Sequence, residues 1–440
     1  MSPELLTAAL FGAMVLCLIL GLPLVFVLGG LAVVFTYFVW GHAALYNIAT
    51  KTFSGMSAFI LVATPMFIFM ANMLEKSGVA DDLYDTIHQW FGGLRGGLAI
   101  GTVLICVIFA AMAGVSGAAT VSMGLIALPA MLKRNYDKSI AVGCIMGGGA
   151  LGILIPPSVT MIFIALISQQ SVGQLFMGGV FPGLILATLF ILYIGIRCRF
   201  QTHLGPPLPP EERTSWRQKI VSLRAIVLPI LLVFLVLGTI FLGVTTPTEA
   251  AAIGAVGSIV SAAIYRRLKW SLFKEAIYRT FVLTIMVTWI YYAALAFTAL
   301  YAATGAADLV AEVMTSVPGG RWGAIIAMQI VFLILGCFLD PTGIIMITLP
   351  LFGPIVTSLG FDLVWFGVLF VVNMEMAYLT PPFGFNLFYM RGVAPKDITM
   401  ADIYRSVTPF VILQAVGLAI VMIFPQTVLW IPSLMIRKVA

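Results

Sequence analysis

Charge is what this chain has least of. Only 9% of its 440 residues are Asp, Glu, Lys or Arg, where a soluble domain carries about 25%. With 61% hydrophobic residues and a mean hydropathy of +1.11, the composition excludes a water-soluble globule and requires a polytopic membrane protein. Histidine is also scarce: His42, His88 and His203 are too dispersed for a metal centre. Cys17, Cys106, Cys144, Cys198 and Cys337 are scattered with no CxxC spacing, so they read as small buried hydrophobes rather than ligands or bridges. No nucleophile elbow, zinc motif or phosphate loop is present, and nothing resembles an ATP-binding cassette. No cofactor is expected, and any uphill work falls to an ion gradient or to another chain. Met1 to Glu4 carries no basic region and no small-residue cleavage site follows, so the first apolar segment is expected to remain as an anchor.

What the chain has in abundance is membrane-length apolar sequence. A span needs about 20 apolar residues to cross about 30 Å of hydrocarbon. On that basis spans are expected at 5–40 (broken at Gly21-Leu22-Pro23), 58–74, 97–113, 139–154, 172–197, 225–243, 249–265, 280–303, 322–338, 364–379 and 405–431. Residues 116–132 and 341–358 are apolar too, but their place inside a repeat predicts re-entrant segments. Among the 23 Lys and Arg, two clusters stand out: Arg197, Arg199, Arg213, Arg217, Lys219 and Arg224, then Arg266, Arg267, Lys269, Lys274 and Arg279. They flank one hydrophobic pair, so both face the cytoplasm by the positive-inside rule. As topology signals they imply membrane lipid around the chain and no nucleic acid.

Two stretches repeat one unit, each interrupting an apolar run with a double proline. The first runs from Gly114-Val115-Ser116-Gly117 through Pro129 to Pro156-Pro157-Ser158. The second runs from Gly336 through Pro350 to Pro381-Pro382-Phe383-Gly384. Glycine and first proline are 15 and 14 residues apart, and the double proline follows 27 and 31 residues later. Upstream, Gly78 to Asp85 and Gly305 to Leu309 each predict a short amphipathic surface helix leading into a span. Proline frees backbone carbonyls from the helix ladder, and in hydrocarbon such groups must line a cavity or bind something. Broken helices at matched positions of two halves point to a substrate and ion site near the bilayer midplane. The bland alternative is helix kinks with small-residue packing. Of the few acids in apolar sequence, Asp340 suits an N-cap, Glu249 a cap at an exposed turn, and Glu375 a pair with an arginine the sequence does not name.

Three stretches carry a family resemblance: Gly147-Gly148-Gly149-Ala150-Leu151-Gly152-Ile153-Leu154-Ile155-Pro156-Pro157-Ser158, Thr245-Thr246-Pro247-Thr248-Glu249-Ala250-Ala251, and Asn373 through Asn386. The chain resembles the large membrane subunit (DctM type) of tripartite ATP-independent periplasmic (TRAP) transporters, over essentially its whole length. The resemblance implies an all-α polytopic fold, an inverted-repeat elevator-type transporter with two re-entrant helical hairpins and two broken helices. It implies sodium-driven import of an organic acid across the bacterial inner membrane. The partners it implies are a small four-helix membrane subunit (DctQ type) and a periplasmic substrate-binding protein (DctP type). Residue by residue, it implies sodium at Ser116, Gly152, Ile155 and Ser158, and at Gly336, Ala377, Thr380 and Phe383. Substrate is implied at Gly117, Pro157, Asp340, Pro382 and Asn386. Similar proteins often have glycine where Ala377 stands, and alanine keeps the carbonyl while restricting the backbone. The expected organisation is scaffold helices over 1–75, a first transport repeat over 76–200, a cytoplasmic linker with a scaffold hairpin over 201–280, a second repeat over 281–395 and a C-terminal helix over 396–440. A stand-alone carrier of similar architecture and a membrane-embedded enzyme are the alternative readings; the enzyme would need converging acids or a His/Asp/Ser constellation, and only scattered single groups are present.

Overall fold

The computed structural model describes residues 3–114, 116–209, 214–381 and 384–435. The described regular elements are helices. Three open the chain: α1 (Pro3–Ile19), α2 (Leu24–Trp40) and α3 (Leu45–Met56). The turn between α1 and α2 falls at the expected Gly-Leu-Pro, where Gly21 adopts a positive φ and Pro23 precedes the new helix.

A seven-helix unit follows: α4 (Ala63–Lys76), α5 (Val79–Phe91), α6 (Gly97–Ala113), α7 (Ser116–Lys133), α8 (Lys138–Ala150), α9 (Val159–Ser168) and α10 (Val172–Phe200). Next come the short α11 (Trp216–Ser222) and the pair α12 (Arg224–Phe241) and α13 (Pro247–Ile264). The unit then recurs as α14 (Trp270–Thr304), α15 (Ala306–Thr315), α16 (Gly320–Gly336), α17 (Pro341–Ser358), α18 (Leu363–Leu379), α19 (Phe385–Val393) and α20 (Met400–Ile423), and α21 (Gln426–Leu434) closes the chain. Seven described helices are long and apolar enough to cross a membrane by length and composition.

The expected spans at 97–113 and 322–338 are corrected: α6 and α16 are first arms of hairpins. The Tyr136 hydroxyl, just past α7, bonds the Leu98 backbone N–H at the start of α6 at 3.3 Å, so both ends of that hairpin lie together. At the second hairpin, Trp322 near the start of α16 packs edge-on to Phe361 just past α17, 5.0 Å between centroids. Apolar length alone cannot tell a hairpin arm from a span, because arms of 17 and 18 residues reach about 26 Å at 1.5 Å per residue. The expected single C-terminal helix is likewise two, α20 and α21, parted at Phe424-Pro425. Both amphipathic helices are found, as α5 and α15. Arg267 anchors α5 through two bonds to Asp82, at 2.6 and 2.8 Å.

The two units are inverted relative to one another. Lys138, opening α8, pairs with Asp397 beyond α19 at 3.1 Å. At the other end, Gly367 near the start of α18 lies against Ile164 near the end of α9. The line α8–α9 therefore runs antiparallel to α18–α19, and the protein is an all-α, inverted-repeat membrane fold with two hairpins and two broken helices. Cross-links between helices are mostly apolar, with few polar ties. Asn373 Nδ2 donates to the Gln329 backbone and side-chain oxygens at 2.8 and 3.0 Å, joining α18 to α16. Trp365 Nε1 donates to the Val421 carbonyl at 3.1 Å, joining α18 to α20.

Candidate functional site

Each break is built by residues that end one helix and start another. α8 tightens into a 3-10 turn over Leu151–Ile153, then Pro156 and Pro157 withhold the N–H groups that Gly152 and Ile153 would accept. Ser158 restarts the chain as N-cap of α9: its Oγ accepts from Met161 N–H at 3.4 Å and donates to the orphaned Ile153 carbonyl at 2.5 Å. Gly152 has no such replacement from Ser158, which suits its carbonyl to a cation. Ile155 packs its side chain against Gly183 and bonds Leu151 through its N–H at 3.1 Å.

The first hairpin tip docks on this break. Gly114 ends α6 at φ +62°, so close to the break that a Cβ there would lie 2.4 Å from the Pro157 carbonyl oxygen. Two residues on, the buried Ser116 Oγ donates to Asn386 Oδ1 at 2.9 Å, tying the first tip to the second broken helix. Asn386 is fully buried, and its Nδ2 has no hydrogen-bond partner among the described residues.

The second half repeats the arrangement. Gly336 ends α16 against Ala377, where a Cβ would stand 2.5 Å from the alanine methyl. Thr380 caps the C-terminus of α18 with extended backbone, its Oγ1 donating to the Met376 carbonyl at 2.7 Å. Asp340 is the N-cap of α17: Oδ2 accepts from Thr342 N–H at 2.9 Å and Oδ1 from the Tyr378 hydroxyl at 3.3 Å. Pro382 and Phe383 lie outside the described residues.

The sequence-predicted residues thus fall into two clusters, Ser116 with Gly152, Ile155, Ser158 and Pro157, and Gly336 with Ala377, Thr380 and Asp340. The Ser116–Asn386 bond links them, and Gly117 lies beside the Tyr389 ring of α19. Sequence reasoning missed Tyr378 and Tyr389, since an aromatic in an apolar run carries no signal until its partner is known. The arginine expected for Glu375 is not found: this residue is fully buried and neither carboxylate oxygen has a partner among the described residues. Glu249 forms the expected cap, exchanging bonds with Thr246 in a capping box.

Eight helix ends therefore gather in these two clusters, which the Ser116–Asn386 bond joins. The N-termini of α7, α9 and α19 supply partial positive charge, which favours an anion, while the Asp340 carboxylate offsets that of α17. The C-termini of α6, α8, α16 and α18 supply carbonyl oxygens, hard ligands for a small cation. Thr380 Oγ1 gives its hydrogen to Met376 and keeps its lone pairs for a cation, so Thr380→Ala tests the hydroxyl: a change in the cation dependence of transport below about threefold would leave only the Thr380 carbonyl as a ligand. A larger loss of sodium affinity in a titration of initial rate would make the hydroxyl a ligand.

The family model for the DctM component of the tripartite ATP-independent periplasmic transporters matches residues 11–427. A C4-dicarboxylate TRAP transporter large permease protein, DctM, from Pseudomonas aeruginosa is 34% identical over 92% of this chain and 93% of its own. An isethionate TRAP transporter permease protein, DctMQ, from Oleidesulfovibrio alaskensis is 30% identical over 94% of this chain and 65% of its own. Among solved structures, the Alcanivorax borkumensis YdaH transporter shares the fold, with a TM-score of 0.62 at 11% identity over 94% of this chain and 98% of that one. The chain belongs to the tripartite ATP-independent periplasmic transporters, as their DctM component.

Proposed function

We propose that this large permease imports a small organic acid across the bacterial inner membrane, driven by sodium, with substrate delivered by a periplasmic binding protein. The observation that supports this best is the gathering of helix ends in two clusters joined by the Ser116–Asn386 bond, N-termini that favour an anion beside C-terminal carbonyls that favour a cation. Sodium would sit at carbonyls and hydroxyls of Ser116, Gly152, Ile155 and Ser158 in one half, and of Gly336, Ala377, Thr380 and Phe383 in the other. Substrate would lie between the tips, near Gly117, Pro157, Pro382 and Asn386, whose unpartnered Nδ2 can donate to a carboxylate. Asp340, also placed at this site on the sequence, is already engaged as a cap and repels an anion, so its part would be to hold α17. The hairpins and broken helices would move as one transport body against α1–α4 and α12–α14, an elevator displacement. A small four-helix subunit would brace the second group. The DctMQ relative supports that partner, because a third of it extends beyond this chain's match. Relatives named for C4-dicarboxylate and isethionate support a small organic anion as the substrate class.

The test is uptake of labelled succinate, with isethionate and sialic acid as further probes, into proteoliposomes. These contain this chain, the small subunit and the loaded binding protein, with and without an inward sodium gradient. Accumulation is expected only with all three components and sodium, at least about tenfold above any omission. Uptake by this chain alone would make it a self-sufficient carrier.

A further inference from the structure

Two cavities flank the hairpins and broken helices, on the two sides that the positive-inside reading of the basic clusters makes outer and inner. The inner one, of about 420 Å³, lies between Asn72 and Glu75 of α4, Gly117 of α7, Arg279 of α14 and Tyr389 of α19. The outer one, of about 260 Å³, lies between Lys51 of α3, Gln169 beyond α9, Tyr291 of α14 and Met346 and Pro350 of α17. Because α7 corresponds to α17 and α19 to α9, the two are near-equivalents under the inverted repeat. They differ in depth. The inner cavity reaches Gly117 at the first hairpin tip, whereas the outer meets α17 well past its tip at Asp340. The inner cavity thus borders the first tip from the end that carries the basic clusters.

Among the described residues Arg279 is the one cation lining the inner cavity. Its Nη2 sits 3.2 Å from Glu275 on its own helix, and its Nη1 is 3.7 Å from Glu75, beyond hydrogen-bonding distance. A guanidinium carries five N–H donors in a fork that matches a carboxylate, so these two contacts leave donors for a third anion. We propose that Arg279 is the inner anion-receiving residue, taking the carboxylate of an organic acid that leaves the hairpin tip, with Glu75 as its resting counter-charge. Glu75 keeps the cavity from becoming a trap, since departure requires the anion to be held weakly. The inference rests on the transporter reading for its biological meaning, but its electrostatic content is independent of that reading.

The experiment places a single cysteine, Ala118→Cys, in the inner cavity wall of the purified chain in nanodiscs. Its rates of modification by an anionic sulfonatoethyl and a cationic trimethylammonioethyl methanethiosulfonate are compared, the unsubstituted chain serving as the control for native cysteines. Arg279→Gln is expected to lower the anionic-to-cationic rate ratio about tenfold, Arg279→Lys to preserve it, and Glu75→Gln to raise it. Millimolar succinate should slow modification in the Arg279 chain and not in Arg279→Gln. An unchanged ratio in Arg279→Gln, or a fall in both Arg279→Gln and Glu75→Gln as from a merely structural pair, overturns the proposal. Uptake in the three-component assay with an unchanged ratio would leave the transporter reading standing and sink this one alone. A responsive ratio without uptake would do the reverse.

Discussion

Gly114→Val is expected to abolish transport and to lower stability by at least about 3 kcal/mol, the sum of two separate penalties. The first is conformational. Gly114 sits at φ +62° as the terminal cap of α6, where a Cβ-bearing residue costs about 1–2 kcal/mol and a β-branched one more. The second is steric: a Cβ at this position would lie 2.4 Å from the carbonyl oxygen of Pro157. That obstacle is backbone, so no rotamer change relieves it, and the hairpin tip must lift from the break. Lifting it also separates Ser116 from Asn386, the one described hydrogen bond joining the two clusters. Gly21 isolates the first penalty, because it has φ +79° with nothing within 4 Å of its Cβ direction. Thermal unfolding of the purified variants should therefore show a small loss for Gly21→Val and a several-fold larger one for Gly114→Val. Equal losses would mean that the tip does not dock on the break.

The same residues show what was legible in the sequence. Glycine and proline act locally, so the breaks at Leu151–Ser158 and Thr380–Gly384 could be read from one strand of text, as could the caps at Asp340 and Glu249. The duplication was legible because the spacings recur. Pairings across the fold were not: Ser116 and Asn386 are 270 residues apart, and nothing in either residue names the other. Hairpin arms were mistaken for spans because hydropathy measures length and apolarity, and α6 and α16 satisfy both while turning back. The basic cluster was read as a loop signal alone. Yet Lys274 and Arg279 belong to α14, which extends from Trp270, and Arg279, though exposed, lines a cavity. Charge counting gives the side of the membrane; only the helix face gives the role.

Glu375→Met is expected to stabilise the protein while lowering transport by about tenfold or more. Glu375 lies in the middle of the second broken helix, is 0% exposed, and offers two carboxylate oxygens with no partner among the described residues. An unsatisfied buried polar group costs about 1–3 kcal/mol even when neutral, and an unpaired charge far more. Methionine of similar length removes that cost without opening a cavity, so the unfolding temperature should rise. Glu375→Lys should fail to accumulate in the membrane, since it exchanges one unpartnered group for a longer, obligatorily hydrated one. A carboxyl kept inside packed helices at a net loss of stability is expected to serve a step of the transport cycle, and intramembrane acids are functional by default. Its neighbours on α18 have evident structural work, Asn373 bonding Gln329 and Ala377 packing on Gly336, whereas Glu375 has no polar partner among the described residues. Paired measurements of unfolding temperature and of succinate uptake in the three-component assay separate the alternatives. A fall in stability for Glu375→Met would mean that the carboxyl has a structural partner. Raised stability with unchanged uptake would leave it without a role in the cycle.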